Sequence, residues 1–348
     1  MKRAGALLLL LCAVSCAHNP YERIVDAAVA KPLAEKRYAG AVLVSVDDRV
    51  VVRKAYGFDN KPDSRFMIMS TSKQFTAALI LRLVAQGKLA LDDPAGKYLD
   101  HWPPEWDAVT IHSLLSHSTG LHIDTTYFWL VKHHPEYWAE PGVTPPPYEP
   151  RPLVATPGTT YIYANVGYTL LTRIAERAGG KPFDQLIREE VLEPLRLEHT
   201  EPERPGKPVA RVRGHAPGTL AVDEQQTIDI IGAGDLVSNV DDLLAFDRRY
   251  HDDRFLPRRL RELALTPHVR SERAGSGYGW FLQTTASGDL LAGHNGSGAG
   301  FRAFNYTLPS KNVIVIVLSN VAEADHTWVR KIVDEVIQIK DAARSQSR

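Results

Sequence analysis

The stretch FMIMSTSKQFTAALILRLVAQGKLALDDP, residues 66–94, decides how the rest of the chain is read. Ser70 and Lys73 stand three positions apart at the start of a predicted helix, so both side chains project from one face. A serine hydroxyl is a weak nucleophile until a base takes its proton. Lysine serves as that base only where desolvation or neighbouring positive charge lowers its pKa from about 10.4. A helix N-terminus supplies part of that field, and its N–H groups can also point at an oxyanion. After Lys73 the apolar residues Phe75, Ala78, Leu79, Ile80, Leu83 and Val84 run almost all round the helix, broken by Arg82 and Gln86, with Gly87 as the stop. A central, rigid helix is expected. Taken alone, the spacing also suits a Ser N-cap followed by a surface Lys.

Outward from this helix, residues 41–56 (AVLVSVDDRVVVRKAY) read as two β-rich runs joined by an acidic turn, a hairpin signal. Near the other end DLLAGH, FRAFNYTL and NVIVIVLS supply three more runs, the last continuously apolar and therefore central. A final helix is expected from about Asp325, with Trp328, Val329, Ile332, Val333, Val336 and Ile337 on one stripe. Between them HSLLSH, YTLLTRIAERAG, FDQLIREEVLEPL and DDLLAFDRRYHDD are helical. The expected fold class is α+β: an antiparallel sheet of about five strands from both chain ends (about 37–60 and 271–320), flanked by helices, with a mostly helical region inserted (about 61–270). Residues 133–158 hold eight prolines and read as a long loop, either a pocket wall or a surface excursion.

Lys plus Arg and Asp plus Glu each number 41, which leaves no bulk charge to steer the chain onto nucleic acid or an anionic membrane. Lys2 and Arg3 precede the apolar run Ala4 to Val14, too short for a spanning helix and shaped like a secretory signal over residues 1–17. Ala13-Val14-Ser15-Cys16 is similar to a bacterial lipoprotein box lacking its usual leucine, which makes Cys16 a lipidation site. Ser15-Cys16-Ala17 has the small-x-small spacing of ordinary signal cleavage. The expectation is export to the periplasm or cell envelope, with a lipid anchor through Cys16. Both cysteines, Cys12 and Cys16, lie in this segment, so residues 18–348 form one domain without a disulfide.

Two further motifs join the first. PGTTYIYANVGYTLL carries Tyr163-Ala164-Asn165, and AGHNGSGAGF carries His294-Asn295-Gly296 at the end of a predicted strand. In this order, SxxK, YxN and HxG resemble the serine β-lactamase and penicillin-binding protein superfamily, in the branch that holds class C β-lactamases, D-aminopeptidases, D-Ala-D-Ala carboxypeptidases and related esterases. LLSHSTGL at 114–121, GAGDLVSNVDDLLAF at 232–246 and YGWF at 278–281 are similar to the same family, so the resemblance spans nearly the whole chain after the signal. It implies a β-lactamase/DD-peptidase-like fold. It makes Ser70 the acylated nucleophile, Lys73 its partner and Tyr163 a phenol between nucleophile and leaving group, with the first proton acceptor left open between Lys73 and Tyr163. Asn165 would hold Lys73 or the substrate amide. The N–H groups of Ser70 and of Ser297, just after the HxG motif, would form an oxyanion hole beside Gly296.

His294 departs from the lysine that transpeptidases and most β-lactamases carry there. A histidine mostly neutral near pH 7 fits esters, amides or D-amino-acid peptides better than efficient β-lactam turnover. Arg302 would restore carboxylate binding if it turned inward; otherwise it is a surface strand residue. The remaining histidines, His117 and the His133-His134 pair among them, show no metal-ligand spacing, and His117 reads as structural. The expectation is a cofactor-free, metal-free serine hydrolase acting on a small-molecule or peptide substrate. A non-catalytic penicillin-binding sensor and an acyltransferase are the alternatives.

Overall fold

The computed structural model describes residues 19–134, 149–204, 207–217, 231–298, 300–323 and 325–346. The helices are α1 (Pro20–Ala34), α2 (Ser72–Ala85), α3 (Ile111–Leu115), α4 (Ile123–His133), α5 (Asn165–Gly179), α6 (Phe183–Ile187), α7 (Val240–Tyr250), α8 (Arg258–Ala264) and α9 (Thr327–Gln346). The strands are β1 (Gly40–Val46), β2 (Arg49–Tyr56), β3 (Phe66–Met67), β4 (Glu201–Pro202), β5 (Leu236–Ser238), β6 (Val269–Arg270), β7 (Gly275–Ser276), β8 (Phe281–Thr284), β9 (Leu290–Gly298), β10 (Phe301–Leu308) and β11 (Val313–Ser319).

Antiparallel pairing builds a sheet in the order β2-β1-β11-β10-β9-β8-β7-β6 from the two chain ends. The unbroken apolar run of β11 follows from burial on both faces. Val313, Val315 and Val317 pack with Val25 and Val29 of α1 and with Val329, Ile332, Val333 and Val336 of α9. Ile314, Ile316 and Leu318 point the other way, into the core shared with α2, α5 and α7. Helix α2 is buried nearly all round and runs through the middle of that second core.

Among the described residues the sheet has eight strands where about five were expected. The additions, β6, β7 and β8, are two to four residues long, too short to show alternation; pairing with β9 and with one another defines them. The inserted region is mostly helical, as expected, but not wholly so. It carries a three-stranded sheet, β3-β5-β4, whose register Met67↔Val237 ties the segment before Ser70 to the segment after Gly232. Helix α1 was not anticipated. Asn19 caps it by accepting from the Tyr21 N–H at 3.0 Å, with Pro20 at its first position. Part of the proline-rich stretch runs beside residues 117–120, through Val154 N–H to Gly120 O at 2.8 Å and Gly158 N–H to Ser118 O at 2.8 Å. The signal and lipidation readings, Cys12 and Cys16 included, and residues 135–148 and 218–230 lie outside the described residues. No described helix is long and apolar enough to cross a membrane.

Candidate active site

Ser70 sits in a 3₁₀ turn, Met69–Thr71, that feeds directly into α2. Met69 takes φ +50°, a left-handed conformation costly for a residue with a Cβ, and the resulting kink turns the chain into the helix just as Ser70 is reached. Strand β9 presses against this turn from the sheet side. A Cβ on Gly296 would lie 2.2 Å from Ile68 O, so only glycine at the third position of HxG lets the strand come this close. Pairing of β8 with β9 ends at Phe281↔Gly293, which leaves residues 294–298 as a bare edge beside Ser70, with Ser297 exposed on it opposite Arg302.

One helical turn beyond Ser70, Lys73 is fully buried. Its Nζ lies 2.8 Å from Asn165 Oδ1, 2.7 Å from Ala233 O and 3.2 Å from Ser70 Oγ. Two of these neighbours are carbonyl oxygens that can only accept. A neutral amine donates its two N–H bonds to them and turns its lone pair toward the serine hydroxyl. Burial holds the Lys73 amine well below the usual lysine range, partly opposed by the Asp235 carboxylate.

The segment that supplies Ala233 O is fixed by several bonds. Thr76 Oγ1 donates to Gly232 O at 2.6 Å, Thr169 Oγ1 to Ile231 O at 3.0 Å, and the Leu236 N–H to Ser72 Oγ at 3.1 Å. Buried Asp235 closes the turn by accepting from the Gly232 N–H at 2.9 Å and pairs with Arg204 at 2.6 Å. Gly232 takes φ +72°, with Thr172 where a Cβ would stand. This turn falls in the GAGD text of the sequence, which assigned no role to Ala233 or Asp235. A backbone carbonyl leaves no residue-type signal.

Tyr163 lies beside Ser70, and its ring lies 4.9 Å from Lys73 Nζ. Burial pushes its phenol far above the usual tyrosine range, so it carries its proton at neutral pH. His294 is buried, stacked on Phe281 at 4.3 Å, with Nδ1 2.8 Å from Asn295 O. Burial pushes its imidazole down to about 3, the more so whenever Lys73 is protonated, so it is neutral across the physiological range. Arg302 does not turn toward the edge. Its guanidinium donates to the carbonyls of Glu323 (2.7 Å), Phe301 (3.1 Å) and Ala322 (3.3 Å), so it pins the chain after β11.

Ser70, Lys73, Tyr163, Asn165, His294 and Gly296 thus form one cluster, with Ser297 exposed on the adjoining strand edge. His117, read from sequence as structural, also belongs to it: its ring lies 4.4 Å from that of Tyr163. Among the described residues no group of three or more His, Cys, Asp or Glu side chains is placed to hold a metal ion.

Residues 25–333 match the beta-lactamase family. A penicillin-binding protein of Bacillus subtilis (strain 168) is 26% identical over 319 residues, covering 84% of this chain and 70% of its own length. A D-aminopeptidase of Brucella canis (strain ATCC 23365 / NCTC 10854 / RM-666) is 27% identical over 323 residues; the match covers 83% of this chain and 57% of the length of that protein. Among solved structures, the octameric penicillin-binding protein homologue from Pyrococcus abyssi superposes with a TM-score of 0.75 at 24% identity, over 91% of this chain and 77% of that one. The D-amino acid amidase from Ochrobactrum anthropi SV3 gives 0.71 at 20% identity, over 94% and 98%. The chain belongs to the beta-lactamase family of serine hydrolases and carries the fold of the penicillin-binding proteins and D-amino acid amidases.

Proposed function

We propose that this protein cleaves amide or ester bonds of D-amino-acid derivatives through an acyl-enzyme on Ser70. The observation that carries the reading is the buried Lys73 amine, held by two carbonyl oxygens with its remaining valence toward Ser70 Oγ. Lys73 takes the hydroxyl proton as Oγ bonds to the acyl carbon. Protonated Tyr163 donates to the departing nitrogen or oxygen as that bond breaks, and is reprotonated from Lys73. The assignment of base and acid follows from the opposite displacements of the two groups, amine downward and phenol upward. The N–H groups of Ser70 and Ser297 receive the oxyanion. Water then attacks the ester in the reverse sense, its proton taken by the same pair while Ser70 Oγ recovers one.

Neutral His294 offers no fixed cation for a substrate carboxylate, and Arg302 is occupied by carbonyls. Acyl donors without a charged carboxylate beside the scissile bond therefore suit the site better than penicillins do. The relatives named D-aminopeptidase and D-amino acid amidase act in the same direction. Steady-state hydrolysis of D- and L-alanine p-nitroanilide, p-nitrophenyl acetate and a chromogenic cephalosporin tests the reading. The D-anilide and the ester are expected to turn over with the cephalosporin far behind; cephalosporin hydrolysis faster than either would overturn the substrate assignment. The amino-terminal segment adds the proposal of export with a lipid on Cys16. Retention in the membrane fraction, lost in Cys16→Ala, is the expected result; wild-type protein found wholly in the released fraction would contradict it.

A further inference from the structure

We propose that His117 is the positioning residue for Tyr163, holding the phenol between Ser70 and Lys73. The proposal rests on the acyl-enzyme reading above and adds to it a residue outside the three motifs. Its backbone carbonyl accepts from the Ile162 N–H at 2.8 Å, and its ring Nδ1 accepts from the Ala164 N–H at 3.3 Å. One residue therefore holds the backbone N–H groups of the two residues that flank Tyr163. Its ring then lies along the phenol at 4.4 Å and 35°, with Tyr168 behind at 5.0 Å and Tyr161 edge-on at 6.1 Å.

The clamp needs an unusual backbone. His117 follows the end of α3 at φ +56°, where residues bearing a Cβ are strained, and Asn and Gly are the replacements that tolerate the region. The clamp also needs a neutral ring, because Nδ1 accepts only when the proton sits on Nε2. Burial suppresses the imidazolium. Nε2 is itself buried without a hydrogen-bond partner among the described residues. A histidine kept here only for packing would leave a polar atom stranded for nothing, whereas the clamp gives Nδ1 and the ring face a task.

Two variants separate positioning from packing. His117→Gly keeps the turn and the carbonyl but removes Nδ1 and the ring. His117→Asn keeps an acceptor, Oδ1, near the place of Nδ1. Each is compared with wild-type full-length protein in kcat, KM, the pH profile of kcat, melting temperature and the mass of the Ser70 acyl adduct. The expected result for His117→Gly is a kcat reduced about 30- to 100-fold with KM within threefold. Its pH profile should have a displaced limb, because the Ser70–Lys73–Tyr163 group no longer titrates as a unit, and His117→Asn should recover at least a third of the lost rate. An unchanged kcat and profile in His117→Gly would overturn the proposal. So would equal losses in both variants in proportion to a fall in melting temperature, which is the signature of packing alone. A wild-type protein that forms no Ser70 adduct would instead bring down the hydrolase reading, and this proposal with it.

Discussion

Lys73 and Gln74 are neighbours on α2, both fully buried, and they look into opposite surroundings. On the cleft side every valence of the Lys73 amine has a neighbour: Asn165 Oδ1, Ala233 O and Ser70 Oγ. On the sheet side Gln74 Oε1 accepts from Asn305 Nδ2 at 3.1 Å, and the same amide donates to Asp247 Oδ1 at 3.0 Å. That cluster leaves Gln74 Nε2, Asn305 Oδ1 and Asp247 Oδ2 without partners among the described residues. Burial pushes the Asp247 carboxyl up to about 7, only partly relieved by Asn305. Two ionisable groups are thus displaced toward neutrality by the same desolvation. Only the first has acceptors that converge with a nucleophile. Burial alone shifts a pKa; convergence is what makes the shifted group usable.

The contrast can be broken most sharply at Lys73. Lys73→Met removes the amine while keeping an unbranched apolar side chain, and acylation of Ser70 should fall by about 10³- to 10⁵-fold. Because a buried ionisable group is replaced by an apolar one, the melting temperature should hold or rise. Pre-steady-state acylation and calorimetry check the two halves, and an active Lys73→Met protein would remove lysine from the proposed mechanism.

Asn165→Asp is the gentler probe. A carboxylate in place of the amide favours the charged ammonium and so raises the Lys73 pKa. Less neutral amine is then present near pH 7, where the rate should drop about 10- to 100-fold and recover as pH rises. The acid limb of the kcat/KM profile should move to higher pH; a limb that stays in place would mean that some other group is the base.

On the sheet side the expected effect is on stability. Asp247 holds its proton more tightly folded than unfolded, where its carboxyl titrates near the ordinary value of 3.8. The folded state therefore binds more protons between about pH 4 and 7, and stability declines as pH rises through that window. Asp247→Asn removes the ionisation. It should match wild type near pH 4 and exceed it at pH 8 by on the order of 2–4 kcal/mol. Urea midpoints at the two pH values measure this, and parallel shifts at both would show that folding does not raise the Asp247 pKa.

What was legible in the sequence divides along the same line. Side chains with distinctive chemistry at helical or strand spacing could be read, which is why Ser70, Lys73, Tyr163, His294 and the helix and hairpin that frame them were found. The long amphipathic stripe of α9 and the unbroken run of β11 were legible because periodicity survives over many residues. Strands β6 to β8 were not, being too short to have a period. Ala233 contributes only a carbonyl, and the role of His117 depends on a backbone conformation at φ +56° that its residue type does not advertise. Arg302 was ambiguous because nothing in strand alternation tells which neighbours a long side chain will find.

The central claim, that Ser70 is acylated, is tested most directly by intact-protein mass spectrometry. Wild-type protein and Ser70→Ala are treated briefly with p-nitrophenyl acetate and with benzylpenicillin, and the modified peptide is then mapped. The account predicts a transient acyl adduct on wild type, mapped to Ser70, and none on Ser70→Ala. An adduct of equal yield on Ser70→Ala, or one mapped to a different residue, would contradict it.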